Sequence, residues 1–239
     1  MRNLTVLLPA LDEEAAIGKV LSSIPVDRLW GLGFQTKVLV VDGQSADRTR
    51  EIAKNMGAQV MVQNGFGKGG ALRYGFEASA ADMVVILDAD GSYPPEKIPE
   101  FVEMLSNGAD VVIGSRLRGE ILAGAMTPLN LVGNRILSVL ASLLYQIPVS
   151  DICSGMWGIH ARALRRMSLS SQRFDIEAEV FAEARRLGLR VHEIPIRYSR
   201  RIGTSKLIPL TAGIEIFGRL LTMRLAQSQK PGATAQDSA

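Results

Sequence analysis

The amino-acid sequence predicts an α/β fold in which a mostly parallel sheet carries helices on both faces, with amphipathic helices towards the carboxyl terminus. Short apolar runs alternate with helix-length segments through the first half of the chain, which is typical of parallel strands joined by crossover helices. Several of these runs end in turns that carry carboxylates. After Gly114 the alternation gives way to longer apolar segments.

Five strands and four helices are expected in the first half. The strands are the apolar runs 4–9, 37–41, 58–62, 83–87 and 110–113, and the helices are a segment that begins at Asp12 and the segments 47–56, 71–80 and 95–105. Asp12 is a candidate cap for the first helix, with Glu13 and Glu14 in its first turn. The run 83–87 is apolar throughout, as expected of a strand that is buried on both faces.

The second half is expected to contain fewer strands and longer helices. Segments 127–149 and 207–225 are long and apolar, 174–187 reads as an amphipathic helix, and 190–198 reads as a strand. The remaining segments are a turn-rich loop at 151–158, a basic loop at 199–206, and a small polar tail at 227–239 that we expect to be disordered.

Composition narrows the class of protein. The 239 residues contain one cysteine, Cys153, which excludes an internal disulfide and fits a reducing, cytoplasmic setting. The first apolar run is too short for a signal peptide, and no stretch reaches the roughly 20 apolar residues of a membrane span. A net charge of only +3 does not point to nucleic acid, and we expect no such partner.

Two carboxylates directly follow the strand predicted at 83–87. Asp88 and Asp90 are separated by Ala89, and Gly91 allows a turn. The carboxyl ends of parallel strands are where open α/β sheets bind ligands, and Mg²⁺ is typically bound by one or two carboxylates together with substrate phosphates. The pattern favours a metal–diphosphate site, and the alternative is an ordinary polar turn.

Three strand ends are expected to converge at one edge of the sheet. Acid-bearing turns follow the strands at 9–13, 42–47 and 88–90, and the carboxyl ends of parallel strands share an edge. Helix capping by Asp12 and Ser45 is the alternative explanation for part of this pattern.

The loop 64–70, NGFGKGG, is a candidate phosphate cradle. Glycines allow close approach of the backbone, and Lys68 is placed to neutralise a phosphate. A plain flexible turn is the alternative, because Gly69 stands where a Walker A loop has Ser or Thr.

The motifs taken together resemble a family 2 glycosyltransferase of the GT-A fold. They occur in order from residue 4 to 207 and include Leu7–Glu13, Val40–Gly43, Gly67–Gly69 and Asp88–Gly91. The later motifs are Ile113–Arg116, Asp151 with Ser154-Gly155, and Arg201 with Gly203, Ser205 and Lys206. These later motifs are similar to those of the dolichol-phosphate mannose and glucose synthases.

The resemblance implies a set of site residues and one domain over 1–226, with a donor half at 1–114 and an acceptor half at 115–226. The nucleotide sugar would contact Pro9, Leu11, Glu13, Asp42, Lys68, Asp88, Ala89 and Asp90. The acceptor phosphate would contact Arg116, Asn134, Arg135, Ser138, Ser154, Arg201, Ser205 and Lys206. Asp88, Asp90 and Arg116 would be catalytic, and Asp88 and Asp90 would hold Mg²⁺ or Mn²⁺.

The implied reaction is an inverting transfer of a hexose from a nucleotide sugar, of the GDP-mannose or UDP-glucose type, to a polyprenyl or dolichyl phosphate. An ionised phosphate oxygen needs no strong general base. It does need cations that hold it in line for attack on the donor sugar, and arginine is suited to this role because it contacts phosphate in a bidentate manner. The basic loop 199–206 fits that role, and its alternative is a solvated loop that faces anionic lipid headgroups.

The two long apolar helices fit a lipid acceptor. Segments 127–149 and 207–225 are expected to lie in the interface at the cytoplasmic face of a membrane, or else to be buried in the core or in a homo-oligomer contact. A membrane-spanning partner subunit stays open as a further partner.

Two other functions stay open from the residues. A transferase that acts on a soluble hydroxyl acceptor would need a carboxylate base, for which Asp151 and Asp175 are the candidates. A nucleotide-sugar sensor or membrane scaffold would bind without turnover. The resemblance places the segment 174–177, Phe-Asp-Ile-Glu, at an acidic helix start, which would either position the donor sugar or complement the helix dipole.

Overall fold

Seven strands form one sheet in the computed structural model, which describes residues 1–204 and 209–228. The strands are β1 (Arg2–Ala10), β2 (Phe34–Asp42), β3 (Gln59–Val62), β4 (Met83–Ile86), β5 (Val111–Ser115), β6 (Trp157–His160) and β7 (Val191–Pro195). Their order across the sheet is β3-β2-β1-β4-β6-β5-β7. The halves predicted at 1–114 and 115–226 therefore share one sheet.

The sheet is mostly parallel, as predicted. Strand β1 pairs in parallel with β2 and β4, β2 with β3, and β5 with β7. Strand β6 is antiparallel to both of its neighbours, β4 and β5. The loop predicted at 151–158 was too long, because Trp157 and Gly158 belong to β6. This four-residue strand is too short to show a periodicity, and its hydrogen bonds come from strands that are distant in the sequence.

Helices join the strands, and their bounds correct several predictions. The helices are α1 (Ile17–Ser22), α2 (Val26–Gly31), α3 (Thr49–Asn55), α4 (Gly67–Ala78), α5 (Ile98–Ser106, after a 3₁₀ turn at Pro95–Lys97), α6 (Pro128–Tyr145), α7 (Ala161–Leu164), α8 (Ile176–Arg186) and α9 (Pro209–Ser228). Helices α2 and α7 were not predicted. Helix α4 begins within the glycine loop, at Gly67, rather than at Ala71.

Asp12 does not cap α1, contrary to expectation. It has a left-handed backbone with φ of 50°, and its Oδ1 accepts a hydrogen bond from the Ala46 backbone N–H at 2.8 Å. Helix α1 begins at Ile17 without a side-chain cap, so Glu13 and Glu14 lie outside it. Asp12 therefore ties the turn after β1 to the turn after β2, at the edge of the sheet where these strands end.

The core has two parts, one on each face of the sheet. Alternate residues of β1 point to opposite faces: Val6 packs with residues of α1 and α5, and Leu7 packs with residues of α4, α6, α8 and α9. Helices therefore cover both faces, as predicted. Helix α4 comes especially close to β1, since a Cβ added at Gly75 would lie 2.5 Å from Leu7 Cδ1.

Candidate active site

A cavity of about 760 Å³ lies at the edge of the sheet where β1, β2 and β4 end. It is bounded on its other side by α6, α9 and the segment before α6. The sequence-predicted residues that line it are Pro9, Leu11, Glu13, Lys68, Asp88, Ala89, Asp90, Arg116, Asn134 and Arg201. The fold therefore brings most of the predicted donor residues and three of the predicted acceptor residues to one space.

Four of the predicted residues do not line this cavity. Asp42 is fully buried, and its Oδ2 accepts a hydrogen bond from the Ser45 N–H at 3.0 Å. The hydroxyls of Ser138 and Ser154 serve the fold, because the first accepts from Ile152 N–H at 3.1 Å and the second donates to Gly114 O. Arg135 is exposed. Ser205 and Lys206 lie outside the described residues.

Asp88 shares a largely buried lysine with Glu177. Lys68, in the first turn of α4, places its Nζ 2.7 Å from Asp88 Oδ1 and 2.7 Å from Glu177 Oε1 at the start of α8. Burial lowers the pKa of Lys68, but the charges of the two carboxylates outweigh it and the net pKa lies above the ordinary value. Lys68 is therefore a fixed positive charge beside the first acid of the Asp-Ala-Asp turn.

Burial raises the pKa of Asp88, and the neighbouring charge of Asp90 adds to this effect while Lys68 opposes it. Burial also raises the pKa of Glu177, again opposed by Lys68. The two acids of the turn thus repel each other across a site from which water is partly excluded. An added cation at this position would relieve that repulsion.

Asp90 faces a second cation, Arg201. Asp90 Oδ1 accepts hydrogen bonds from the backbone N–H and the hydroxyl of Ser92, which fixes the turn. Asp90 Oδ2 lies 3.5 Å from Arg201 Nη1, and Arg201 Nη2 lies 2.7 Å from Glu13 Oε1. Each acid of the turn therefore meets a cation from a distant part of the chain.

The loop before β6 forms the floor beneath Asp88. Gly155 lies so close to this carboxylate that an added Cβ would be 2.8 Å from Asp88 Cγ. The Gly155 backbone N–H donates to Tyr93 Oη at 2.6 Å. Tyr93 lines the cavity and was missed by sequence reasoning, because a tyrosine after a turn carries no distinguishing pattern.

Arg116 is paired within the protein. Its Nε and Nη2 each lie 2.7 Å from an oxygen of Asp151, and its backbone N–H donates to Asp151 Oδ2 at 2.9 Å. The guanidinium also lies 5.1 Å from the ring centre of Tyr198. Arg116 is thus held rigidly, with one edge of its guanidinium committed to Asp151.

Neither carboxylate considered as a general base is placed for that role. Asp151 is fully buried and both of its oxygens accept from Arg116. Asp175 Oδ2 accepts from the Ser171 hydroxyl at 2.9 Å and from Arg219 Nε at 2.8 Å, and Asp175 does not line the cavity. The geometry therefore corrects the expectation that either one is free to activate a hydroxyl.

The carboxylates of Asp88 and Asp90 are suitable ligands for a divalent cation such as Mg²⁺ or Mn²⁺. They offer hard oxygen ligands at the cavity wall and repel each other without one. Across residues 1–204 and 209–228, no group of three or more His, Cys, Asp or Glu side chains is arranged to hold a metal. A site of one or two carboxylates that is completed by phosphates and water is the usual arrangement for Mg²⁺.

The opposite wall of the cavity is apolar. Helices α6 and α9 pack together, with Tyr145 Oη donating to Leu220 O at 2.8 Å. Each helix buries one stripe and exposes another. The exposed residues, here called the apolar surface, are Leu129, Val132, Ile136, Val139 and Leu143 of α6 and Leu210, Ile214, Phe217, Leu221 and Leu225 of α9. Five of them, Leu129, Ile136, Leu210, Ile214 and Phe217, also line the cavity.

The alternative that these two helices are buried in the core is therefore wrong for the part of the chain that is described, since each exposes a row of large apolar side chains. Burial of these rows in a homo-oligomer contact stays a prediction. In the same described part, no helix is both long enough and apolar enough to cross a membrane.

Known proteins with similar sequences carry glycosyltransferase names. The low-salt glycan biosynthesis hexosyltransferase Agl6 of Haloferax volcanii is 37% identical over 206 residues, which are 85% of this chain and 49% of that protein; the chain thus spans about half of its length. The dolichyl-phosphate hexose transferase of the same organism is 37% identical over 218 residues, which are 90% of each chain.

The fold and the family agree with these relatives. A solved structure of glucosyl-3-phosphoglycerate synthase from Mycobacterium tuberculosis, in complex with Mn²⁺ and UDP-glucose, superposes with a TM-score of 0.74 at 23% identity, covering 97% of this chain and 81% of the other. Residues 5–168 match the description "Glycosyl transferase family 2". The chain is therefore a member of glycosyl transferase family 2, with the GT-A fold and the glycosyltransferase class that its motifs predicted.

Proposed function

We propose that this glycosyltransferase moves a hexose from a nucleotide sugar to a polyprenyl phosphate at the cytoplasmic surface of a membrane. The observation that carries the proposal is the division of the cavity into two walls. One wall holds Asp88, Asp90, Lys68 and Arg201, and the other is apolar and continues onto the apolar surface. The relative named dolichyl-phosphate hexose transferase, matched over 90% of both chains, supports the same choice.

The donor would occupy the charged wall. Pro9, Leu11 and Glu13 would frame the base and ribose, with the diphosphate beside the Asp-Ala-Asp turn. A Mg²⁺ or Mn²⁺ ion held by Asp88 and Asp90 would supply Lewis-acid stabilisation of the leaving diphosphate. Lys68 and Arg201, which face these carboxylates at 2.7 and 3.5 Å, would add fixed positive charge where the negative charge develops.

The acceptor phosphate would enter between the charged and apolar walls, near Arg116 and Asn134. A phosphate oxygen attacks the anomeric carbon, the bond from that carbon to the donor diphosphate breaks, and its electron pair leaves with the diphosphate. Displacement from the opposite face inverts the anomeric centre. The acceptor oxygen is already ionised near neutral pH, so no proton has to be removed.

Asp151 and Asp175 are each paired with an arginine, and this favours a phosphate acceptor over a hydroxyl acceptor. A hydroxyl nucleophile needs a base within hydrogen-bond reach. Both candidate carboxylates are instead held by arginines, with Arg116 to Asp151 at 2.7 Å and Arg219 to Asp175 at 2.8 Å. The role of Arg116 would then be to present the remaining edge of its guanidinium to the acceptor from a rigid position.

The reaction is tested by incubating the full chain with radiolabelled GDP-mannose or UDP-glucose, polyprenyl phosphate and MgCl₂. We expect label to pass into an organic extract that contains the lipid product. Label that appears only in a water-soluble saccharide would contradict the lipid acceptor. Donors that stay intact with either metal would contradict turnover and favour a binding role.

Membrane attachment is tested on α6, at a position away from the cavity. Leu143 is 71% exposed and does not line the cavity, so a Leu143→Glu variant is expected to bind anionic vesicles at least about tenfold more weakly, because it loses the burial of one leucine and adds a negative charge. Sedimentation with vesicles measures the change. Val26→Glu, on exposed α2, is the matched control, and equal losses in both variants would contradict docking through the apolar surface.

A further inference from the structure

Arg219 of α9 does not line the cavity, yet it forms ion pairs with the first turn of α8, the helix that carries Glu177. Its Nε lies 2.8 Å from Asp175 Oδ2, and its Nη1 lies 3.5 Å from Glu179 Oε1. Nη1 also lies 3.3 Å from the hydroxyl oxygen of Ser170. Both carboxylates are buried, so removing the arginine would leave them without the cation that compensates their charge.

The first turn of α8 presents its acids on two sides. Asp175 and Glu179 are four residues apart, so they share the side of the helix that faces Arg219. Glu177 lies between them, roughly half a turn away from each, and its Oε1 lies 2.7 Å from Lys68 Nζ. This one helical turn therefore joins an arginine of α9 to the lysine of the charged wall.

The segment before α8 supports the turn that carries Lys68. The Gly69 N–H donates to Arg173 O at 3.1 Å. The Gly70 N–H donates to Gln172 O, also at 3.1 Å. The approach is close, since a Cβ added at Gly69 would lie 2.8 Å from the carbonyl carbon of Gln172. A displacement of this segment would therefore displace the first turn of α4.

Two further contacts fix the same segment. Glu179 Oε2 accepts a hydrogen bond from the Ser171 N–H at 2.8 Å. Glu215, one helical turn before Arg219 on α9, has its Oε1 3.3 Å from Arg173 Nη1. The side chains of this last pair are 59% and 30% exposed, and exposed pairs contribute little. Arg219 is therefore the principal ionic link from α9 to the segment and to α8.

We propose that Arg219 is a positioning residue for donor binding. The proposal rests on the nucleotide-sugar donor and on the position of its diphosphate beside Lys68. Arg219 holds Asp175 and Glu179, which fix the first turn of α8 and the segment before it. That turn and that segment set the position of the Lys68 ammonium. Without Arg219 the charge of Lys68 is no longer fixed where the diphosphate binds, and a charge that has to be reorganised stabilises its ligand less.

The test compares Arg219→Gln with Arg224→Gln, its matched control. Arg224 lies on the same helix, but its Nε donates to Leu144 O at 2.8 Å and so ties α9 to the end of α6. Isothermal titration of the full chain with UDP and with GDP, each with MgCl₂, identifies the nucleotide that the wild type binds more tightly. We expect Arg219→Gln to bind that nucleotide about tenfold more weakly, and Arg224→Gln to bind it within about twofold of the wild type.

Two further variants separate positioning from a loss of stability. Arg219→Lys keeps a cation beside Asp175 and is expected to bind the nucleotide within about threefold of the wild type. Adding Arg219→Gln to Lys68→Met is expected to weaken binding by less than about twofold, because both changes act on the same contact. A general loss of stability predicts neither result.

A third variant covers the case in which Arg219→Gln does not fold. Asp175→Asn keeps the shape of the side chain but removes the charge that Arg219 holds. It is expected to bind the nucleotide at least about threefold more weakly than the wild type, and wild-type affinity in this variant contradicts the proposed route through α8.

The outcomes separate this proposal from the function beneath it. Equal affinities in folded Arg219→Gln and Arg224→Gln, or additive losses in the double variant, overturn the positioning role and leave the donor proposal standing. A wild-type chain that binds neither UDP nor GDP contradicts the nucleotide-sugar donor itself.

Discussion

An Asp90→Asn variant is expected to turn over its donor about 10²- to 10³-fold more slowly than the wild type while keeping its fold. The amide retains an oxygen that accepts the Ser92 N–H, which lies 2.9 Å from Asp90 Oδ1, so the turn is preserved. The negative charge that faces Arg201 and the cavity is removed, and with it one of the two proposed ligands of the cation. Steady-state kcat and the melting temperature measure the two expectations.

The control for this prediction is Asp82→Asn. Asp82 is an exposed carboxylate just before β4, and its Oδ2 accepts a hydrogen bond from Asn3 N–H at 2.8 Å. The same change of charge at this position, outside the cavity, is expected to leave kcat at the wild-type value. An Asp90→Asn variant with the same kcat as the Asp82→Asn control would contradict the assignment of Asp90 to the reaction.

A Lys68→Met variant is expected to lose about 3 kcal/mol of unfolding free energy at neutral pH, the lower end of the penalty for removing one partner of a buried ion pair, because Asp88 keeps 27% of its side chain exposed. Asp88 and Glu177, each 2.7 Å from Lys68 Nζ, would then face each other without a cation. Turnover is expected to fall as well, because the fixed charge beside the proposed diphosphate position is lost. Chemical denaturation followed by circular dichroism measures the stability.

The pH dependence of this variant follows from the same contacts. Burial already raises the pKa values of Asp88 and Glu177 above their ordinary range despite the opposing effect of Lys68, and removing Lys68 raises both further. A carboxyl group with a higher pKa in the folded state binds more protons when folded, so stability decreases as the pH rises through that range. The deficit of Lys68→Met relative to the wild type should therefore shrink as the pH is lowered from 7 towards about 4.

The surface pair of Lys97 and Glu100 provides the control. Its N–O distance is also 2.7 Å, but the two side chains are 35% and 43% exposed, against 12% for Lys68, 10% for Glu177 and 27% for Asp88. A Lys97→Met variant is expected to change the unfolding free energy by less than about 1 kcal/mol. Equal losses in the two variants would show that burial does not set the strength of the Lys68 cluster.

The sequence was most informative where strands end in acids. The turns after β1, β2 and β4 do meet at one edge, because parallel pairing places the carboxyl ends of strands side by side, and Asp88 and Asp90 line the resulting cavity. The apolar rows of α6 and α9 were likewise visible as long apolar segments. Both features follow from local composition and the direction of the chain.

Pairings between distant segments could not be predicted. Nothing in the sequence near Lys68 points to Glu177, and the segment around Arg116 gives no sign that its guanidinium is committed to Asp151. These contacts exist because the sheet brings α4 near α8, and β5 near the loop before β6. Asp12 shows the converse error: its residue type suggests a cap, but its backbone is left-handed and its carboxylate serves the neighbouring turn.

The antiparallel direction of β6 determines which of its two flanking loops lies beside the cavity. The loop that follows each parallel strand lies at the edge of the sheet that holds the cavity. For β6 it is the preceding loop, which includes Asp151 and Gly155, that lies at this edge. The connection after β6 begins at Ala161 and emerges at the opposite edge of the sheet, beside Asp82 and Asp110. Insertions just upstream of Trp157 would therefore disturb catalysis, while those just downstream of His160 would be tolerated by the reaction.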